Sequence, residues 1–282
     1  VAGVTLPQSW QPQQRHLSEV VREHGSGDAI APVRALLEYG LARQLEAEAE
    51  ARRAEGKEFK TNAYVSDSGR CPRQIYFSLT NTPQTEPLTL DSWMTLNIGK
   101  LAESLYIKLL EAAGVTILAQ ERVELESDGE KITGRLDLLL EIPENLREAI
   151  QGLDPRELWE LKTKNSRALG WMLKRGGPDT DDPYRKQCNG YLHAAAQNKI
   201  PRPTQAKARL VYCASGATKG EPLFHVWTVN YDKDGAEEDL KILGQAMQDA
   251  KNGLDPGVPV AYRSCPNWPC NYCSWKRLCH PR

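Results

Sequence analysis

The chain has 282 residues, with 36 Lys+Arg against 37 Asp+Glu and a formal charge of −1. That balance excludes whole-molecule attraction to nucleic acid and leaves only a local basic groove for such a partner. Hydrophobic residues make up 40% and mean hydropathy is −0.56, polar for a globular protein but sufficient for a core, and no apolar run approaches the roughly 20 residues of a membrane span. Residues 1–14 show neither the basic stretch nor the apolar stretch of a secretory signal, so the expectation is a cytoplasmic chain without membrane contact. Position 1 is Val rather than Met, which leaves a trimmed start and a lost leader open.

Residues 1–30 are rich in Gln, Pro, Gly and Ser and read as an extended arm. From Ala31 to about Lys60 the composition turns helical, with Val33, Leu36, Leu37, Tyr39 and Leu41 as an apolar face, and Glu46–Glu58 as a solvated charged surface. A second helix is predicted over Ser92–Ala113, burying Trp93, Leu96, Leu101, Leu105 and Leu109. The period then changes to two: Thr116–Glu126 and Lys131–Glu141 read as the arms of one hairpin about Ser127-Asp128-Gly129. Glu157–Lys164 is a further strand. Residues 165–183, holding Gly170, Gly176, Gly177, Pro178 and Pro183, read as a long irregular segment of the kind that carries function. Tyr184–Lys199 is a helix, Ala206–Ala214 and Phe224–Tyr231 are strands, and Glu237–Lys251 is a last helix before a Pro- and Cys-rich tail. The order predicts an α/β (α+β) domain around one mixed sheet. Its divisions are an arm (1–30), a helical region carrying Cys71 (31–90), a core (91–255) and a Cys-rich cap (256–282).

Seven cysteines, an odd count, argue against a disulfide framework, and four of them lie in the last eighteen residues. Such clustering suggests a metal or an iron–sulfur centre. Cys188 and Cys213 fall in a predicted helix and strand and read as small buried apolar residues; His193 and His225 show no ligand spacing.

Two predicted neighbouring strands carry polar groups. One holds Gly134-Arg135-Leu136-Asp137 followed by three leucines; the other holds Leu158-Trp159-Glu160-Leu161-Lys162. Residues i and i+2 of a strand share a face, so Glu160 and Lys162 project together while Trp159 and Leu161 point into the core. Asp137 among leucines needs a partner. Two carboxylates converging across strands make a site for a hard cation such as Mg²⁺ or Mn²⁺, and a lysine beside them can orient or deprotonate water. Gln187 and Tyr191 share a helix face at i, i+4, as do Gly99 and Glu103.

In order, the chain reads Gly-x3-Glu, Gly-x2-Asp, Glu-x-Lys, Gln-x3-Tyr. Over residues 95–195 this series resembles the RecB-like branch of the PD-(D/E)XK nucleases, although many of its members carry His at the position of Glu103. Cys71, with Cys270-x2-Cys273-x5-Cys279, extends the resemblance to the iron–sulfur exonucleases that include the CRISPR-associated RecB-like nucleases and related phage enzymes. The resemblance implies a restriction-endonuclease-like mixed sheet flanked by helices, with the N-terminal helices and the cap joined by a [4Fe–4S] cluster on those four cysteines. It also implies a metal held by Asp137, Glu160, the Leu161 carbonyl and Glu103, water activated or oriented by Lys162, and a scissile strand positioned by Gln187 and Tyr191. Cys265 keeps an alternative open, because Cys265, Cys270, Cys273 and Cys279 together have the ligand count of a structural Zn²⁺ site.

For DNA, Lys164, Arg167, Lys174, Arg175, Arg185 and Lys186 cluster with Trp171 and Tyr184, the mix of cations and rings that suits unpaired strands. Asp179, Asp181 and Asp182 offset part of that charge. Arg73 and Arg135 flank the motifs. The expected activity is a metal-dependent exonuclease on single-stranded or frayed DNA, which the resemblance implies leaves a 5′-phosphate. The alternative is a DNA-binding or adaptor subunit with a vestigial or auxiliary nuclease site, in a spacer-acquisition or phage recombination complex with a helicase, annealing protein or integrase.

Overall fold

The computed structural model describes residues 30–55, 60–86, 88–119, 122–179, 182–215, 224–259, 270 and 273–280. The predicted arm, apart from Ile30, and Cys265 and Asp181 lie outside the described residues. In chain order the elements are α1 (Ile30–Ala54), a 3-10 turn (Val65–Asp67), α2 (Pro72–Leu79), α3 (Leu90–Ala112), β1 (Thr116–Ala119), β2 (Arg122–Ser127), β3 (Glu130–Arg135) and β4 (Leu138–Glu141). They continue with α4 (Glu144–Ala149), β5 (Arg156–Asn165), α5 (Ser166–Lys174), α6 (Pro183–Ala196), β6 (Lys207–Ser215), β7 (Phe224–Asn230), α7 (Lys233–Asn252) and a short α8 (Lys276–Cys279). Among the described residues no helix is long and apolar enough to cross a membrane.

The chain divides into two units, one of residues 1–60, 81–95 and 266–282, the other of residues 61–80 and 96–265. In the first, the tail is tied to the segment before α3. Thr85 and Glu86 amides donate to the Ser274 carbonyl, the buried Trp275 indole donates to the Thr82 carbonyl at 2.7 Å, and Arg277 pairs with Glu86. Of the apolar face predicted for α1, only Leu41 is buried; Val33, Leu36, Leu37 and Tyr39 are exposed.

The second unit holds a five-stranded sheet in the order β1-β4-β5-β6-β7, antiparallel except for β5 beside β6. A parallel pair needs a crossover, and α5 and α6 supply it. On one face Leu138, Leu140, Leu161 and Val211 pack with Tyr106, Ile107 and Leu110 of α3. On the other, Leu139, Leu158, Leu210 and Tyr212 join a larger core with Tyr191 and Leu192 of α6 and Leu240, Leu243 and Met247 of α7.

Three expectations are corrected. The single hairpin is divided: β2 and β3 form their own two-stranded sheet, while β1 and β4 pair within the large one. The patterns differ for a physical reason. Leu138, Leu139 and Leu140 are all fully buried, which requires cover on both faces, whereas β2 alternates exposed and buried positions and needs cover on one. Second, the segment after β5 is not wholly irregular, because Asn165 caps α5 by accepting the Ala168 amide at 2.8 Å, and Leu169 and Met172 turn inward. Third, α3 presents the opposite face. Leu96, Leu101, Leu105 and Leu109 are exposed, and Gly99, Ala102, Glu103, Tyr106, Ile107 and Leu110 are the more sheltered side. That helix carries apolar residues on both sides of its Lys100, Ser104 and Lys108 stripe, so periodicity does not choose between them; small Gly99, where a Cβ would lie 3.1 Å from Thr163 Oγ1, marks the side that can lie close to β5.

Gly134 plays a similar part on β3. A Cβ there would sit 3.0 Å from Val65 and 3.1 Å from the Tyr191 ring, both themselves buried. Gly134→Val should therefore destabilise the fold by about 1–3 kcal/mol, seen as a lower urea midpoint at unchanged slope. An unmoved midpoint would show that Val65 can give way.

Candidate active site

At the break between β3 and β4 the chain carries Asp137 off the ladder, and β5 brings Glu160 and Lys162 beside it. The Leu161 amide donates to Asp137 Oδ2 at 2.9 Å, which fixes that carboxylate against the central strand. Glu160 is fully buried. Its Oε1 accepts a short hydrogen bond from Lys162 Nζ, which also lies 3.7 Å from Asp137 Oδ2. Glu160 Oε2 is buried without a hydrogen-bond partner.

Burial pushes the Glu160 carboxyl up to about 8, with the Asp137 charge adding to the rise and the Lys162 ammonium opposing it. Burial works against the Lys162 charge, but Glu160 and Asp137 outweigh it and hold the ammonium above the ordinary lysine range. Lys162 is thus a cation at neutral pH. Below it lies the Tyr184 ring, 5.1 Å from Nζ.

Glu103 comes from α3 and is paired with Arg135 at 3.7 Å. Burial, then the Asp137 charge, raise its carboxyl. Gln187 and Tyr191 stand together on α6 as their spacing predicts, but both are buried. Tyr191 is 1% exposed, accepts from Gln187 Nε2 at 3.3 Å and donates to the Arg135 carbonyl at 2.7 Å. Its hydroxyl therefore holds the backbone leading into Asp137.

The basic residues divide. Arg73 forms a bidentate pair with Asp255, its closest contact 2.6 Å, and lies over the Phe77 ring, so its guanidinium is engaged within the protein. Arg185 donates to the Pro178 carbonyl, Lys186 pairs with Asp239, and Arg175 lies 3.9 Å from Asp179. Arg135, Arg167, Lys174 and Trp171 are exposed. Lys164 shares the face of Glu160 and Lys162, its Nζ 5.2 Å from the Tyr212 ring and 3.8 Å from Met172 Sδ. Tyr212 escaped the sequence reading. Its signal is the parallel register that sets it beside Lys162, visible only once β5 and β6 are paired.

Among the described residues no three His, Cys, Asp or Glu side chains gather into a metal site by themselves. The donors on offer to a hard cation are the Asp137 carboxylate, the bare Glu160 oxygen and backbone carbonyls, and the orphaned Glu160 oxygen shows that the set fits one. The thiols occupy other places. Cys71 precedes α2 and is half-buried. Cys270, Cys273 and Cys279 are half-buried in the tail, where the Cys273 amide donates to the Cys270 carbonyl at 3.1 Å. Cys188 is fully buried and Cys213 half-buried.

A protein-family model for the PD-(D/E)XK nuclease superfamily matches residues 31–280. Among solved structures, SSO0001 is 16% identical with a TM-score of 0.50, covering 85% of this chain and 96% of that one, a likeness of fold. The alkaline exonuclease LHK-Exo from Laribacter hongkongensis is 11% identical at a TM-score of 0.43, covering 69% and 90%. No curated protein matches the chain in sequence.

The raised Glu160 carboxyl carries a pH signature. The unfolded chain loses this proton near 4.5 and the folded metal-free protein keeps it to about 8. The stabilisation is complete below the lower value and is lost as pH rises to the upper one, at up to about 1.4 kcal/mol per pH unit. Urea titrations of Glu160→Gln across that window should lack the slope; an identical slope in the variant would assign it to another group.

Proposed function

Since the chain belongs to the PD-(D/E)XK nuclease superfamily, we propose that it is a metal-dependent DNA exonuclease acting on single-stranded or frayed ends. The observation that carries this reading is the buried Glu160 carboxyl group, one oxygen on Lys162 and the other without a hydrogen-bond partner, beside Asp137. Asp137, Glu160 and the Leu161 carbonyl would hold Mg²⁺ or Mn²⁺, with Glu103 nearby through its pairing with Arg135. Such a cation, when bound, acidifies water and neutralises charge on the phosphate.

The remaining work falls to the chain's own groups. Lys162, on Glu160 and 3.7 Å from Asp137, is placed to activate or orient the attacking water and to donate to a non-bridging phosphate oxygen. Water adds to phosphorus as it gives up a proton to solvent, and the bond to the 3′ oxygen breaks as that oxygen takes a proton from solvent, leaving a 3′-hydroxyl on one product and a 5′-phosphate on the other. Tyr191 and Gln187 act one step back, holding the Arg135 carbonyl and hence the turn that presents Asp137. Exposed Arg135 is placed to meet a phosphate.

We further propose that Cys71, Cys270, Cys273 and Cys279 hold a [4Fe–4S] cluster. Thiolate donors suit it, and the likeness of these four cysteines to those of the iron–sulfur exonucleases supports it. Two results would test the whole. Asp137→Ala, Glu160→Ala and Lys162→Ala should each reduce Mg²⁺- or Mn²⁺-dependent cleavage by at least about 100-fold with an unchanged circular dichroism spectrum; full activity in one removes that residue from the mechanism. Anaerobically purified protein should be brown and contain iron and sulfide, both lost in Cys71→Ala. A colourless protein with one zinc, indifferent to Cys71, would move the metal to Cys265, Cys270, Cys273 and Cys279.

A further inference from the structure

Two features beside the site have no partner in the mechanism above. Lys164 lies half-buried on the same face as Lys162, with an aromatic ring and a thioether for neighbours. Among the described residues no carboxylate lies within ion-pair distance of it. Asp182 acts on the ammonium only from beyond that distance, so its half-buried charge is incompletely offset and leaves room for an anion. Its rise from Lys162 is two strand residues, about 6.6 Å, comparable to one nucleotide step of an extended strand.

The second feature is α5. Its helical form, hidden in the sequence by Gly170 and the following Gly-Gly-Pro, places Arg167, Trp171 and Lys174 at i, i+4 and i+7 on its outer face. Trp171 is 68% exposed. Leu169 and Met172 anchor the inner face, and Met172 is the same residue that touches Lys164, so the ridge starts where the lysine ends. The turn that follows is held too, with Gly177 (φ 113°) lying on the Trp227 indole.

We propose that the end of β5 and the outer face of α5 form a track for one unpaired DNA strand. Lys164 meets the phosphate next to the scissile one, Trp171 stacks on a base, and Arg167 and Lys174 flank it on the backbone. A duplex keeps its bases paired and offers Trp171 no open face, so the track discriminates strandedness without reading sequence. The assignment rests on the nuclease reading for which phosphate is scissile, but not for binding.

Anisotropy of a labelled oligo-dT and of a blunt duplex, with the full chain in EDTA, tests it apart from cleavage. Trp171→Ala should weaken oligo-dT binding about tenfold, Trp171→Phe should retain most of the affinity, and duplex binding should barely move. Lys164→Gln should lower the salt slope by about one phosphate contact. The track is overturned if the parent fails to bind oligo-dT, if Trp171→Ala binds it as the parent does, or if duplex binding falls equally. With Mg²⁺ or Mn²⁺ added, a parent that shows the expected binding differences but cuts no DNA would overturn the nuclease reading and leave the track standing. Normal cleavage beside an inert Trp171→Ala would do the reverse.

Discussion

Glu160 is an acidic side chain with no exposure to water, on a strand covered on both faces, and only one of its oxygens has a protein donor. Removing such a group from water costs several kcal/mol, and the Lys162 ammonium offsets this in part. The rest of the site follows from that constraint. Lys162 is drawn onto Glu160 and toward Asp137, Asp137 is fastened by the Leu161 amide of the same strand, and the free Glu160 oxygen is left as a ready acceptor. A cation binding there would remove the conflict that burial creates.

The fold serves this arrangement through close approaches. Gly99 lets α3 come near β5 at Thr163, so that Glu103, one turn later, reaches the site's edge. Gly134 leaves room for Val65 and the Tyr191 ring, and the Tyr191 hydroxyl then takes the Arg135 carbonyl just before the chain leaves β3. Motif residues that look as if they should touch substrate thus divide into those that face the reacting centre and those that hold its backbone.

Charge is arranged by the same economy. Arg73 and Lys186 are paired with carboxylates and Arg185 with the Pro178 carbonyl, so these cations are engaged within the protein. The cations left for an outside anion, among them Arg167 and Lys174, are gathered on one side of α5 around an exposed ring.

Strand alternation by itself determined that Glu160 and Lys162 share a face, and i, i+4 spacing that Gln187 and Tyr191 do, because both rest on local geometry that any tertiary context preserves. The motif order likewise sufficed for the superfamily. Three things only the tertiary structure decided. Which face of α3 turns inward was undetermined in a helix with apolar residues on both sides of its polar stripe, and close packing at Gly99 settled it. The division of the hairpin depended on which leucines are covered twice, and the placing of Tyr212 beside Lys162 on a parallel register between strands forty residues apart. Side-chain period fixes direction from a strand or helix; what lies in that direction is set by long-range packing, which no local pattern encodes.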